Sequence, residues 1–163
     1  MAVHSRAFGQ EAEAELVRAI LADPTAAPVL SLIAEADGRA LGHVLFSTVR
    51  FDGAAAGTPA AILAPLAVVP DAQGKGIGSR LVEEGLGRLR EAGIALVFVL
   101  GDPRYYRRFG FTAAAARGFA APHPLPAAYA EAWMVQALGT DAPEQGSRVT
   151  CCDALMPQEF WAE

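Results

Sequence analysis

The sequence predicts an α/β (α+β) fold built on a mixed, mostly antiparallel central sheet. Three observations support this prediction: a hairpin pattern over residues 29–51, a strand–turn–helix–strand order over residues 60–100, and two strand-like segments near the C-terminus. The chain has 163 residues, of which 53% are hydrophobic, and this is enough for one compact core. We therefore expect a single domain spanning residues 1–163.

Charge and composition exclude several classes of function. The formal net charge of −5 comes without a basic stripe, which argues against nucleic acid as a general partner. The N-terminus has no apolar signal core, and no run is long enough to cross a bilayer, so we expect a soluble, cytoplasmic protein without a membrane partner. Cys151 and Cys152 are expected to be small buried or edge residues, because a disulfide between neighbours is strained.

The first predicted elements are a helix and a hairpin. Apolar side chains recur at helical spacing over residues 9–23, and Asp23-Pro24 ends the pattern. Strands follow at about residues 29–35 and 40–51, and Asp37-Gly38 supplies the tight turn between them.

The middle of the chain predicts a βαβ unit. Residues 60–70 are almost entirely apolar, as in a strand buried on both faces, but Pro65 lacks a ladder donor and predicts a bulge or break. An amphipathic helix follows over residues 77–93, with Gly93 as its C-cap, and residues 94–100 predict a second buried strand. Gly85 and Gly87 weaken this helix, so we expect both to allow close approach to the sheet.

The C-terminal third has a weaker pattern. Residues 104–111 predict a short helix closing at Gly110, and residues 121–126 predict a loop. Residues 131–138 and 147–152 predict strands.

A glycine turn (residues 73–78, QGKGIG) joins the first buried strand to the amphipathic helix. Such a turn presents backbone N–H groups at the positive end of a helix and commonly binds phosphate. A P-loop is excluded because Val69 stands where its first glycine belongs and Gly76 where serine or threonine is required. A dinucleotide-binding turn stays open as an alternative: Ser79 replaces its third glycine, but Asp102 ends the next strand, where a ribose-binding acid belongs.

The Q-x-x-G-x-G pattern within the glycine turn resembles the acyl-CoA-binding motif of the GNAT superfamily of N-acetyltransferases. The order of elements agrees, from the buried strand ending LAVVPD (66–71) to the tyrosine-bearing short helix ending FGF (109–111). The resemblance covers about residues 61–111 and extends more loosely back over the hairpin. The stretch VLGDPRYYRRFGF is similar to one bacterial subgroup of predicted acetyltransferases.

The resemblance implies a role for each matching residue. Backbone N–H groups of the glycine turn would hold the CoA pyrophosphate, and the preceding strand would pair with pantetheine, with the Val68 N–H polarising the thioester carbonyl. Tyr106, five residues before Phe111, would protonate the departing thiolate. The implied binding residues are Leu66, Ala67, Val68, Gln73, Gly74, Lys75, Gly76, Ile77, Gly78 and Ser79.

The resemblance also implies the reaction, in which an amine attacks the thioester of acetyl-CoA directly, without a metal. The acceptor would be a primary amine on a small molecule or a peptide, and a homodimer is possible. Glu35, His43 and Asp102 are candidates for the general base, and the arginines among residues 104–108 lie on a solvated helix face or reach a phosphate. Two alternatives stay open: a non-catalytic acyl-CoA-binding module and a nucleotide-binding oxidoreductase.

One departure from the superfamily pattern concerns the N-terminus. Members usually begin with a strand and a helix before the segment that resembles residues 9–22, whereas almost nothing precedes Phe8. We therefore expect the first strand to be short or missing, which affects acceptor binding more than CoA binding.

Overall fold

The computed structural model describes residues 13–139, 143 and 146–161, and of Ala54 only the backbone. The helices are α1, of which residues 13–21 are described, α2 (Ile77–Glu91) and α3 (Pro103–Tyr106). The strands are β1 (Leu30–Ala36), β2 (Arg39–Phe51), β3 (Ala60–Val68), β4 (Leu96–Leu100), β5 (Thr112–Ala113), β6 (Trp133–Ala137) and β7 (Val149–Thr150).

The sheet is mixed and mostly antiparallel, which confirms the predicted fold class. Its strands lie in the order β1-β2-β3-β4-β6-β5, and β7 pairs with β2. Within the described sheet, β3 with β4 is the parallel strand pair, and the other strand pairs are antiparallel. The dinucleotide-binding alternative needs a doubly wound parallel sheet and is therefore wrong.

The N-terminal helix and the hairpin form as predicted. Helix α1 ends at residue 21, and Asp23 caps the short 3-10 turn Pro24–Ala26 that follows it. Asp37 and Gly38 have φ values of 54° and 74°, the left-handed conformation that a two-residue hairpin turn of type I′ requires. Residues 9–12 of the predicted helix, and the expectation of a short or missing first strand, lie outside the described residues.

Strand β3 carries the predicted bulge at Pro65. The pairing with β2 passes from Phe46–Leu63 directly to Val44–Leu66, so two residues of β3 oppose Leu45 alone. Such an insertion bends a strand and increases its local twist. The bulge therefore redirects the last three residues of β3, which lead into the glycine turn.

Helix α2 is closed by Gly93, which lies one residue beyond the C-cap Ala92 and has a φ of 88°. The Ile94 N–H donates to the Leu89 carbonyl at 3.0 Å, the six-to-one bond of a Schellman motif. The closing position predicted for Gly93 is thus correct to within one residue.

The two internal glycines of α2 behave differently. A Cβ at Gly85 would overlap the Phe46 ring on the sheet, so close approach is confirmed there. A Cβ at Gly87 would have no atom within 4 Å, so that prediction is wrong for Gly87, which lies on the outer side of the helix.

Each face of the sheet is covered by its own apolar core. Helices α2 and α3 cover one face, and α1 and the C-terminal segment cover the other. Cys151 and Cys152 are buried free thiols, as predicted, and burial raises the pKa of Cys151 well above its ordinary value.

The C-terminal predictions are largely confirmed. The strand near residues 131–138 and the loop at 121–126 are present, while β7 is shorter than expected and β5 was not predicted. No helix in the described ranges is long and apolar enough to span a membrane.

Candidate active site

The β3–β4 gap is the opening that forms where these two parallel strands stop pairing. Their last partners are Leu63 and Val99, after which β3 turns away at the bulge. Val69 donates to the Leu41 carbonyl at 2.9 Å, so the alternation of an antiparallel ladder directs the N–H and C=O groups of Leu66 and Val68 away from β2. These groups face the β3–β4 gap. The Val68 carbonyl accepts a bond from Gln73, so the polar groups of Leu66 and the Val68 N–H are the ones with which an extended ligand could pair as an added strand.

The glycine turn lies at the open end of this gap. Gly74 and Gly76 adopt left-handed φ values of 78° and 83°, and a Cβ at either position would meet no atom within 4 Å. The first intrahelical bond runs from Arg80 N–H to the Gly76 carbonyl, so the earlier N–H groups of α2 lack an intrahelical acceptor. The N-cap residue is Gly76, which offers no side-chain cap, and the turn is exposed around Lys75. This is a suitable site for a diphosphate.

Two polar contacts hold the glycine turn in place. The Gln73 side-chain amide donates to the Val68 carbonyl at 3.0 Å and ties the turn to the end of β3. Arg39, at the hairpin end, pairs with Asp71 at 2.8 Å. Both side chains of this ion pair are more than half exposed, so we expect it to position the turn rather than to add much stability.

Tyr106 lies in the core between α2, α3 and the sheet, next to the end of β4. Its ring lies against Gly101, the residue that follows β4, and packs edge-on against Phe111 with ring centroids 5.7 Å apart. The side chain is 2% exposed, and its hydroxyl has no hydrogen-bond partner among the described residues. Burial raises the pKa of Tyr106 well above its ordinary value, so the phenol stays protonated and keeps its O–H donor.

Tyr105 presents its hydroxyl to the start of α2. A Cβ placed on Gly78 would lie 3.0 Å from the Tyr105 hydroxyl and 3.6 Å from a methyl of Val68. Arg108 lies over the Tyr105 ring, with its guanidinium carbon 4.7 Å from the ring centroid. Tyr105 therefore connects α3 to α2 beside the β3–β4 gap.

The three candidate bases are in different environments. Glu35 lies exposed on the edge strand β1, and Asp102 accepts the Arg104 N–H at 2.9 Å as the cap of α3. His43 pairs in register with Ala67 of β3 and forms a hydrogen bond with the Ser31 hydroxyl at 2.7 Å. Burial lowers the pKa of His43 below its ordinary value of 6.5, so its imidazole is neutral near pH 7. Of the three, His43 is the one on the strand that pairs with the end of β3.

The end of β3, the glycine turn and the start of α2 follow one another along the edge of the gap. Tyr106 lies in the core against Gly101, the residue that follows β4, and belongs to the same apolar cluster as Leu66 and Leu81. The arginines of 104–108 lie on the exposed side of α3 and the turn after it. Among the described residues, no three histidine, cysteine or acidic side chains form a cluster that could hold a metal ion.

Sequence reasoning missed two parts of this site. It did not locate the Leu63–Val99 pair at which the gap closes, or the approach of the Tyr105 hydroxyl to the start of α2. The only signal was the apolar run that contains Leu63, and such a run does not show where pairing stops.

Comparison with known proteins agrees with this geometry. The model of the acetyltransferase (GNAT) family matches residues 2–111. The uncharacterized N-acetyltransferase YjhQ of Escherichia coli K12 is 43% identical over 152 residues, which cover 93% of this chain and 84% of that protein. The uncharacterized N-acetyltransferase YhbS of the same organism is 42% identical over 111 residues, covering 68% of this chain and 64% of that protein.

Solved structures give the same result. The GNAT family N-acetyltransferase YhbS from Escherichia coli in complex with CoA superposes with a TM-score of 0.81 at 35% identity, covering 96% of this chain and 84% of that one. A GNAT family acetyltransferase from Brucella melitensis in complex with acetyl-CoA has a TM-score of 0.69 at 38% identity, covering 91% of this chain and 81% of that one.

Proposed function

Because the chain belongs to the GNAT family of acetyltransferases, we propose that it transfers the acetyl group of acetyl-CoA to a primary amine of a small molecule or a peptide. The observation that carries the proposal is the β3–β4 gap, which has unpaired backbone of β3 along one side, the buried Tyr106 phenol next to the end of β4, and a turn suited to a diphosphate at its open end. The complexes of the two solved relatives with CoA and acetyl-CoA support the choice of donor.

We assign the binding roles from the open end of the gap inward. The N–H groups of residues 74–79 hold the pyrophosphate at the positive end of α2, and Lys75 adds a nearby charge. Pantetheine follows β3 as an added strand and pairs with Leu66 and Val68, whose polar groups face the gap. The N–H groups of these two residues are also the donors available to the thioester carbonyl oxygen.

The reaction forms a C–N bond to the amine, breaks the C–S bond and leaves a thiolate that needs a proton. We assign that proton to the Tyr106 hydroxyl, whose burial keeps it protonated and whose donor has no competing acceptor among the described residues. The amine also loses a proton, and His43 is neutral and close enough to β3 to accept it directly or through water. The hydrogen bond from the Gln73 side chain to the Val68 carbonyl holds the end of β3 in place for its pairing with pantetheine.

A pair of glycine variants tests the placement of the pyrophosphate. Gly76 and Gly93 stand at opposite ends of α2 with φ values of 83° and 88°, and at both a Cβ would have open space. Gly76→Val and Gly93→Val therefore impose similar backbone strain, but only the first places a branched side chain over the glycine turn. We expect calorimetry to show at least a tenfold loss of CoA affinity for Gly76→Val and little change for Gly93→Val. Equal affinities in the two variants would place the diphosphate elsewhere.

The catalytic part of the proposal needs its own measurement. Acetyl-CoA should raise the melting temperature by mass action while NAD should not, and a panel of primary amines should include at least one that releases free CoA thiol from acetyl-CoA. Tight CoA binding with no transfer to any amine of the panel would instead support the non-catalytic acyl-CoA-binding module.

A further inference from the structure

A small apolar cavity lies beside the closed end of the β3–β4 gap. Its walls come from residues 62–64 of β3, Leu100 of β4, Leu16 of α1, and Leu155 and Trp161 of the C-terminal segment. All of its described lining residues are apolar, so it suits a hydrocarbon group rather than a charged or hydrogen-bonding one. The glycine turn and Tyr106 do not line this cavity, so the diphosphate and proton-transfer roles leave it without a function.

The cavity lies at the end of the gap where the acyl end of the donor is expected. The diphosphate end of the donor lies at the open end of the gap, so an arm that pairs with Val68 and Leu66 has its sulfur end directed toward the last strand pair, Leu63–Val99. Leu63 and Ala64 belong both to this closed end and to the cavity wall. An acyl group attached to that sulfur is therefore directed toward the residues of β3 that line the cavity.

The size of the cavity sets how much hydrocarbon it can hold. Its volume is about 20 Å³. A cavity needs roughly 10–15 Å³ to hold one group the size of a water molecule, so there is room for about one methyl group.

Hydrogen bonds hold the C-terminal segment that forms one wall of the cavity, so this wall can limit the length of a bound hydrocarbon chain. Asp23 accepts the Ala154 N–H at 2.9 Å and Thr25 accepts the Asp153 N–H at 2.9 Å, which fastens the C-terminal segment to the turn after α1. The Trp161 indole donates to the Leu155 carbonyl at 2.8 Å, and both side chains are buried.

We propose, building on the function proposed above, that this cavity receives the end of the donor's acyl chain. The protein then uses propionyl-CoA as well as acetyl-CoA, because one further carbon fills the cavity, and it discriminates against butyryl-CoA and longer chains. Leu16 and Leu155 set the length limit, from α1 and the C-terminal segment respectively.

Binding to the full chain tests this without knowledge of the acceptor. Calorimetry with CoA, acetyl-CoA, propionyl-CoA and butyryl-CoA should show propionyl-CoA binding up to about fourfold more tightly than acetyl-CoA, the gain expected for one buried methylene. Butyryl-CoA should bind at least tenfold more weakly than propionyl-CoA. If all three thioesters bind alike, the cavity does not receive the chain, although CoA binding would still support the proposed function. If CoA and its thioesters all fail to bind, the proposed function itself is wrong.

A matched pair of variants tests the wall. Leu16 lines the cavity, whereas Leu89 of α2 packs in the core on the opposite face of the sheet. Both side chains are 8% exposed, so Leu16→Ala and Leu89→Ala should lose comparable stability. Leu16→Ala should bring butyryl-CoA to within about threefold of propionyl-CoA, while Leu89→Ala keeps the wild-type order. Leu155→Val, a milder truncation of the same wall, serves if Leu16→Ala does not fold. An unchanged order in a folded wall variant would overturn the proposal.

Discussion

Replacing Tyr106 with phenylalanine removes one hydroxyl and little else, which makes it a sharp test of the catalytic assignment. The ring, which packs against Gly101 and Phe111, stays in place. The hydroxyl is buried and has no partner among the described residues, so its loss breaks no internal hydrogen bond that the structure shows. Catalysis and stability should therefore change in opposite directions.

The expected magnitudes follow from these contacts. A buried polar group without a partner costs about 1–3 kcal/mol, so its removal should stabilise the protein by about 1 kcal/mol. For a chain of this length, that raises the melting temperature by roughly 2–4 °C. A positioned acid contributes typically 10²–10⁴-fold to a rate, so acetyl transfer should slow by about that factor. CoA affinity should not change, because the binding roles belong to β3 and the glycine turn.

Three measurements on the same preparation decide the matter: thiol release with the best amine of the panel, calorimetric CoA affinity, and the melting temperature. Tyr105→Phe is the control, because its hydroxyl contacts the start of α2 at Gly78 rather than lying orphaned in the core. A wild-type rate in Tyr106→Phe would remove this residue from the mechanism. A lower melting temperature would show that the hydroxyl does have a partner, contrary to the reasoning here.

Three further predictions address packing, the base and the acid limit of stability. Gly85→Ala should destabilise the protein by about 1–3 kcal/mol in urea unfolding, because the new Cβ overlaps the Phe46 ring. Gly87→Ala places its Cβ in open space and should stabilise the protein by up to about 1 kcal/mol. Equal effects of the two variants would contradict the packing of α2. If His43 accepts the amine proton, the rate of acetyl transfer should fall as the pH drops through the pKa of His43, which lies below 6.5, and His43→Gln should abolish this acid-side fall in the pH–rate profile. If the fall persists in the variant, another group is responsible for it. The pKa of Asp23 is lowered mainly by the hydrogen bond from the Thr25 hydroxyl, so its contribution to stability is present above pH 3.8 and is lost as pH falls through the lowered pKa. Asp23→Ala should therefore have a lower melting temperature than wild type at pH 7, and the difference should close in strong acid. A difference in melting temperature that does not change with pH would exclude this linkage.

Local pattern was enough to predict most of the fold. Alternation and apolar runs located the hairpin, β3, α2 and β4, because each depends on residues that are near neighbours in sequence. Pro65 predicted the bulge for the same local reason, since a proline cannot supply the ladder donor. The candidate pyrophosphate site is also local, because a glycine turn and the helix that follows it are contiguous.

The failures have a common physical cause, which is that contact across the sheet is not encoded in spacing along one element. Gly85 and Gly87 look alike in the sequence of α2, and only the side of the helix that meets Phe46 separates them. Tyr105 and Tyr106 are adjacent, yet one hydroxyl meets α2 and the other is buried without a described partner.

The sequence by itself determined the fold class, the glycine turn and the family to which the chain belongs, since these rest on short contiguous patterns. The tertiary structure decided where β3 leaves β4 and what stands at the end of that gap. The cavity there is assembled from α1, two strands and the C-terminal segment, whose residues Leu16 and Trp161 stand almost at opposite ends of the chain. Such a space exists only once the sheet has brought both ends together, and it is there that we expect the choice of acyl donor to be made.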